Sequence, residues 1–299
     1  MSELIIIILR GGVYNFFTNG LRGVEICYIV NALLLIKSYS AGNYTPYELF
    51  KKNIKSLLPM YYIFVLLYIL VRTSFGEKFS KGTVVSALFF FNFVNPYWSN
   101  KLGGTLFYSC LVVSWMIYLV CFKYIKNLKA SLVFGGIVLF FTLYYMPFHL
   151  SNEENINYLY RCISSFSVGP VIWYIVTSEK YKKLLFPQME KLIITGFMCF
   201  IIWFDFFYGF MSMFDFYGII MILIIINYND PCVILNNVIL NYLGKRIFPI
   251  FCSHILVYTI LDRYIKIGNF WFVMTVIFTL ILSETAYQVD LFFKRKSRC

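Results

Sequence analysis

The chain has 299 residues, 60% of them hydrophobic and 13% charged, about half the charge density of a soluble domain; a large soluble core is excluded, because too little polar surface would remain to cover it. The formal net charge of +12 comes from 26 Lys and Arg against 14 Asp and Glu. These basic residues cluster in short loops between apolar blocks, so they read as membrane-topology signals and not as a nucleic-acid footprint.

A bilayer core takes about 20 apolar residues per helix. Blocks of that size lie near 22–38, 57–73, 105–125, 130–148, 162–178, 192–210, 214–228, 247–262 and 268–288. The opening MSELIIIILR has too short an apolar run to span and no small-residue cleavage site, so a removable signal peptide is not expected. A further stretch, 82–98, ends in FNFVNPYW, where Asn92, Asn95 and Pro96 interrupt the pattern.

Loop charge decides how that stretch is counted. Segment 37–56 carries Lys37, Lys51, Lys52 and Lys55 and is expected in the cytoplasm. A full crossing by 82–98 would put KYIKNLK (123–129) outside and invert every later loop. A re-entrant or interfacial 82–98 keeps KYIKNLK and EKYKKLL (179–185) inside, with Asp230, Lys245, Arg246 and the final FKRKSR, and leaves the acidic SNEENIN (151–157) outside. The expectation is an all-α, polytopic integral membrane bundle of about nine to ten transmembrane helices. It forms a single domain over 1–299 in the inner or plasma membrane, with residues 291–299 as a basic cytoplasmic tail. The odd number of crossings makes 1–21 a remnant or replacement of a first helix. No internal repeat or pair of inverted halves is evident.

The Cys residues at 27, 110, 121, 162, 199, 232, 252 and 299 include no Cys-x-x-Cys pair and read as small buried hydrophobes, not as a disulfide framework or metal site. No Gly-x-Ser-x-Gly elbow, Walker loop, dinucleotide fingerprint or zincin helix occurs. Ionisable residues at membrane depth are costly and mark functional sites; here they are Glu25, Asp205, Asp215, His254 and Glu284, with Arg22 and Arg161 near span ends. His254 can hydrogen-bond a neighbouring helix or transfer a proton. Glu25 lies near the start of its span, where solvation or pairing with Arg22 is expected. Asp205 is the deepest carboxylate, and Glu284 is expected to pair with the basic tail. Lys51, Lys52 and Lys55 abut a span; they serve as topology signal and headgroup contacts, or neutralise a phosphorylated ligand.

Several segments, in order, resemble the membrane-bound acyltransferase-3 family, which includes bacterial O-acetyltransferases of surface glycans. LRGVEICYIVNALLLIKSY (21–39) is similar to its Gly-Val-x-x-Phe-Phe-x-x-Ser-Gly/Ala helix, with Asn31 and Ala32 at the last two places. FKKNIKSLLPMYYIFVLLYIL (50–70) resembles its basic segment leading into Arg-Ile-x-Pro-x-Tyr-Tyr. WSNKLGGTLFYSCLVVSWMIYLV (98–120) resembles the Gly-Gly-Trp-Ser helix, and SSFSVGPVIWYI (164–175) the Pro-x-Phe-x-x-Gly-x-x-x-Tyr helix. NYLGKRIFPIFCSHILVYTIL (241–261) resembles Leu-Gly-Lys-x-Ser-Tyr-x-x-Tyr-Leu-x-His, with His254 at the His. The family's ten helices would also account for the parity, as nine spans plus an absent first helix.

The resemblance implies an O-acyltransferase that moves an acyl group, usually acetyl, from cytoplasmic acyl-CoA to a hydroxyl of a cell-surface or lipid-linked polysaccharide. The acyl-CoA is a donor substrate, and no permanently bound cofactor or metal is expected. Such a transfer needs a base for the hydroxyl proton and donors for the developing oxyanion. The site residues implied are His254 and Glu25 for catalysis, Lys51, Lys52 and Lys55 for the acyl-CoA, and Asn31 and Arg161 in the substrate cavity. The partners implied are the bilayer, acyl-CoA and a glycan acceptor, with no nucleic acid. The chain departs from the family at the Arg-to-His motif of the first helix, since its first His is His149. Cys110 stands at the family Glu, Thr105 at the Trp, and Ser56 at the Arg before Ile-x-Pro. Those departures leave two alternatives open: a non-catalytic scaffold working with glycan-assembly proteins, and a polysaccharide flippase, polymerase or other transporter.

Overall fold

A computed structural model describes residues 21–79, 81–88, 105–124, 135–136, 154–182, 186–208, 213–232, 235–264 and 269–296. Within them all regular structure is helical: α1 (Leu21–Ser40), α2 (Pro46–Ser74), α3 (Lys81–Leu88), α4 (Thr105–Tyr124), α5 (Glu154–Thr177), α6 (Glu179–Lys182), α7 (Gln188–Tyr208), α8 (Met213–Asn227), α9 (Val238–Lys245), α10 (Ile247–Tyr264) and α11 (Asn269–Lys296). Among the described residues three stretches are long and apolar enough to cross a membrane: Gly23–Ser40, Pro46–Ser74 and Leu159–Thr177. Phe107–Lys123, Asp215–Asn227 and Ile247–Leu261 are shorter apolar helices. The expected crossing at 130–148 falls almost wholly outside the described residues, as do 1–20, most of 89–98 and the last three residues of the basic tail.

Three helices run well beyond the apolar blocks that seeded them, α5 by starting at Glu154 ahead of the block at 162–178. α2 begins at Pro46, well before the block at 57–73, because proline suits the first helical position and Glu48 in the first turn complements the helix dipole. The helix therefore carries the lysine cluster. α11 continues to Lys296, so the first part of the expected tail is helical, with its cations at the favourable C-terminal end. Glycines stop α1 and α2. Gly42 and Gly76 adopt φ of 73° and 84°, and Glu77 N–H closes back on the Arg72 carbonyl at 3.0 Å.

The chain divides into two compact units, each discontinuous in sequence: Met1–Pro46, Ile117–Leu150 and Tyr160–Leu240 in one, Tyr47–Met116, Ser151–Leu159 and Asn241–Cys299 in the other. The core of the first unit is built by Ile29 and Leu33 of α1, Val168 and Ile172 of α5, and Phe216 and Ile220 of α8. A Cβ on Gly169 would lie 2.7 Å from Leu33 N and 2.9 Å from Ala32 C. Only glycine allows α5 to approach α1 this closely, as small residues do between helices in lipid. The Tyr118 hydroxyl donates to Ser167 Oγ at 2.6 Å, and Tyr39 stacks on Phe122 with centroids 4.7 Å apart.

In the second unit α10 and α11 form the principal helix pair, linked by Ser253 Oγ donating to the Thr279 carbonyl at 3.3 Å. Phe107 of α4 packs on Phe251 of α10 at 4.6 Å between centroids, and the Tyr61 hydroxyl donates to the Ala87 carbonyl. In both units enclosed hydroxyls accompany the apolar core, and large apolar side chains also lie on the outside. Ser109, Ser114, Ser164, Ser167, Ser253 and Ser283 are fully enclosed, while Leu34, Leu66, Phe197 and Ile281 are more than half exposed. Hydroxyls inward and aliphatic groups outward is the arrangement suited to lipid.

Candidate functional site

In the first unit the polar centre lies between α1 and α5. Glu25 occupies the second turn of α1 and is 1% exposed. Arg161 of α5 donates to its Oε1 through Nε at 2.8 Å and Nη2 at 2.5 Å. α1 turns the carboxylate inward onto α5, so the solvated reading is corrected to a buried ion pair; the pairing expected with Arg22 falls on a side chain outside the described residues. Ser164 and Ser165 stand three and four residues after Arg161, on the same helix face, and donate to the Arg161 carbonyl at 3.0 and 2.6 Å. Their hydroxyls meet the Tyr217 hydroxyl at 3.1 and 2.8 Å. Among the described residues the result is a nest of one ion pair and three hydroxyls. The RCISS spacing could have revealed the two serines; nothing in FDFYG singled out Tyr217.

Asn31, expected in a substrate cavity, donates Nδ2 to the Cys27 carbonyl of its own helix at 2.8 Å. At the end of α8, Asn227 bonds Thr195 at 2.9 Å and accepts from Cys232 N–H at 2.9 Å. Lys191 pairs with Asp230 at 2.8 Å. Asp205 is buried and Asp215 exposed. The side chain of Arg22 lies outside the described residues.

The second unit holds His254 and the lysines. His254 Nδ1 is 3.3 Å from the Ile250 carbonyl. A carbonyl can only accept, so a proton on Nδ1 would satisfy this contact and leave Nε2 as the acceptor nitrogen. The ring lies edge-on to Phe251, with centroids 5.2 Å apart. Lys51, Lys52 and Lys55 are exposed on the first turns of α2. Tyr68, further along α2, donates its hydroxyl to the Cys252 carbonyl at 3.1 Å, two residues before His254. Cys110, at the family's Glu place, is fully buried, and the Tyr108 hydroxyl lies against the Cys252 thiol.

Glu284 does not pair with the basic tail as expected. It binds Arg246, with Nη2 to Oε1 at 3.1 Å and Nε to the other oxygen, and accepts from the Tyr242 hydroxyl at 2.6 Å. The guanidinium is sandwiched 3.6 Å from the Tyr242 ring and 4.4 Å from the Tyr287 ring. Arg246 reaches Glu284 across the α10–α11 pair, a contact invisible in one dimension. The Glu284 carboxylate holds the Tyr242 proton in place and pushes that phenol above its ordinary value; it raises Arg246 likewise.

The described cysteines, 27, 110, 121, 162, 199, 232 and 252, are free. Among the described residues no group of three or more His, Cys, Asp or Glu is placed to hold a metal. No protein-family model, curated protein or solved structure matches the chain.

Proposed function

We propose that this chain is a membrane-bound O-acyltransferase of the acyltransferase-3 type. It would sit in the cell membrane through about nine crossings, with its basic C-terminus in the cytoplasm. The reading assigns acyl-CoA, chiefly acetyl-CoA, as donor and a surface or lipid-linked polysaccharide hydroxyl as acceptor. The observation that carries it is the tie between two family-like segments, where Tyr68 of 50–70 bonds the Cys252 carbonyl beside His254 of 241–261. The helix that carries three exposed lysines is thereby packed on the helix that bears the His254 imidazole. Lys55 stands about 20 Å along α2 from Tyr68 at 1.5 Å per residue, a separation suited to a donor with a charged nucleotide head and a long neutral arm.

In this reading Lys51, Lys52 and Lys55 bind the donor's phosphates. His254 Nε2 accepts the proton of the glycan hydroxyl as its oxygen bonds to the thioester carbonyl carbon. The C–S bond then breaks, and the departing thiolate takes the proton. Glu25 and Arg161 form the polar centre of the first unit, where their buried ion pair ties α1 to α5.

The test is purified protein in lipid vesicles with labelled acetyl-CoA and pooled bacterial glycans. Transfer of label to glycan is expected, falling about 10²–10⁴-fold in His254→Ala. Replacing the three lysines by Ala should raise KM for the donor roughly tenfold, equivalent to about 1.4 kcal/mol, with kcat retained. Absence of both thioester hydrolysis and transfer to any glycan pool would remove the reading.

A further inference from the structure

Most helices that expose apolar side chains here are long and also bury one face. α9 is different. It has eight residues, none of them buried, and at 1.5 Å per residue it is about 12 Å long, far short of a bilayer core. Its residues are nevertheless sorted by angle. At 100° per residue Val238, Tyr242, Ile239, Leu243 and Leu240 fill one arc, and Asn241, Gly244 and Lys245 fill the other. Val238 is 84% and Ile239 71% exposed, which water would penalise.

Both ends are held. Asn237 caps the start, accepting from Leu240 N–H at 2.8 Å. At the other end the Arg246 guanidinium lies between the Tyr242 and Tyr287 rings and binds Glu284. Tyrosine rings and an arginine with its charge satisfied beside an apolar stem are the chemistry of the membrane–water boundary. Lys245 is exposed beside this clamp, so the polar arc offers positive and no negative charge.

We infer that α9 is an interfacial helix: it lies in the plane of an anionic bilayer, with Val238, Ile239 and Leu240 in the headgroup–acyl boundary and Lys245 against lipid phosphate. The occupant of its apolar face is lipid. Charge complementarity favours an anionic surface, since the polar arc carries the exposed Lys245 and no carboxylate. The helix acts as a depth gauge. It fixes Arg246 at the boundary, and α10 then carries His254 about 12 Å inward over eight residues. The inference rests on the membrane-spanning part of the proposed function but not on its chemistry.

The test introduces Ile239→Trp into the full chain, reconstituted in vesicles of phosphatidylcholine and phosphatidylglycerol. The emission added over the wild type is read with lipids brominated near the headgroup end or near the terminal end of the acyl chain. Loss of most of the added emission with headgroup-proximal bromine, and little with terminal bromine, is expected. Emission untouched by either lipid means that water, a second copy or another protein covers the face, and overturns the inference; so does stronger quenching by terminal bromine. Gel filtration confirms that the variant is folded, and Val238→Trp, on the same arc, repeats the reading independently. Alkaline carbonate separates the two levels of the argument: protein stripped from the vesicles defeats the spanning reading, whereas retained protein with an unquenched Trp defeats only the role of α9.

Discussion

Replacing one member of the Glu25–Arg161 pair should unsettle the first unit more than any single hydroxyl change there. With Glu25 1% and Arg161 12% exposed, water can do little to replace the pairing that either substitution removes. Two unit charges about 4 Å apart at an effective dielectric constant of about 20 attract by about 4 kcal/mol, and removing one partner of a buried pair costs about 3–5 kcal/mol. Glu25→Leu and Arg161→Met should each lower the unfolding midpoint by roughly 5–10 °C, taking about 2 °C per kcal/mol for a chain of this size. The double variant should recover most of that loss, because an apolar pair of similar volume leaves no unpaired charge. The assay is heating in detergent followed by fluorescence-detected size exclusion, which requires no knowledge of substrate. Single variants within about 1 °C of wild type, or a double variant whose loss is the sum of the two singles, would refute the reasoning, since uncoupled residues add.

Gly169→Val should cost at the upper end of about 1–3 kcal/mol, because its Cβ would meet the backbone at Leu33 N and Ala32 C and not a movable side-chain end; a thermal midpoint equal to wild type would contradict the close approach of α1 and α5. Alkaline stability should report the Tyr242–Glu284–Arg246 clamp. Its phenol is raised, so the stabilisation is complete below the ordinary tyrosine value of about 10 and lost as pH rises through the folded value. Detergent-solubilised protein should therefore lose stability in that upper window, and Tyr242→Phe should flatten the profile.

How much of this was legible beforehand depends on the range of the interaction. Helix existence was, at α1, α2, α4, α5, α8 and α10, because an apolar block of about 20 residues has few alternatives in lipid. The extensions of α2 to Pro46 and of α11 to Lys296 follow local cap and dipole chemistry that hydropathy ignores. Ionisable residues within the apolar blocks were visible as such, but their distant partners were not: Arg161 lies 136 positions from Glu25, and Glu284 binds Arg246, 38 positions away, in place of the nearer basic tail that was expected.

The sequence by itself determined that the chain forms apolar helices with positive connections, since partitioning depends on the composition of each segment alone. Only the tertiary structure decided which charges meet and which hydroxyls are enclosed. Those outcomes depend on which helix faces touch, and contacts such as Gly169 on Ala32 and Tyr68 on Cys252 arise from close packing between segments distant in the chain. Electrostatic attraction follows that packing: once α1 and α5 are in contact, Glu25 has Arg161 within reach and no room to turn back toward solvent.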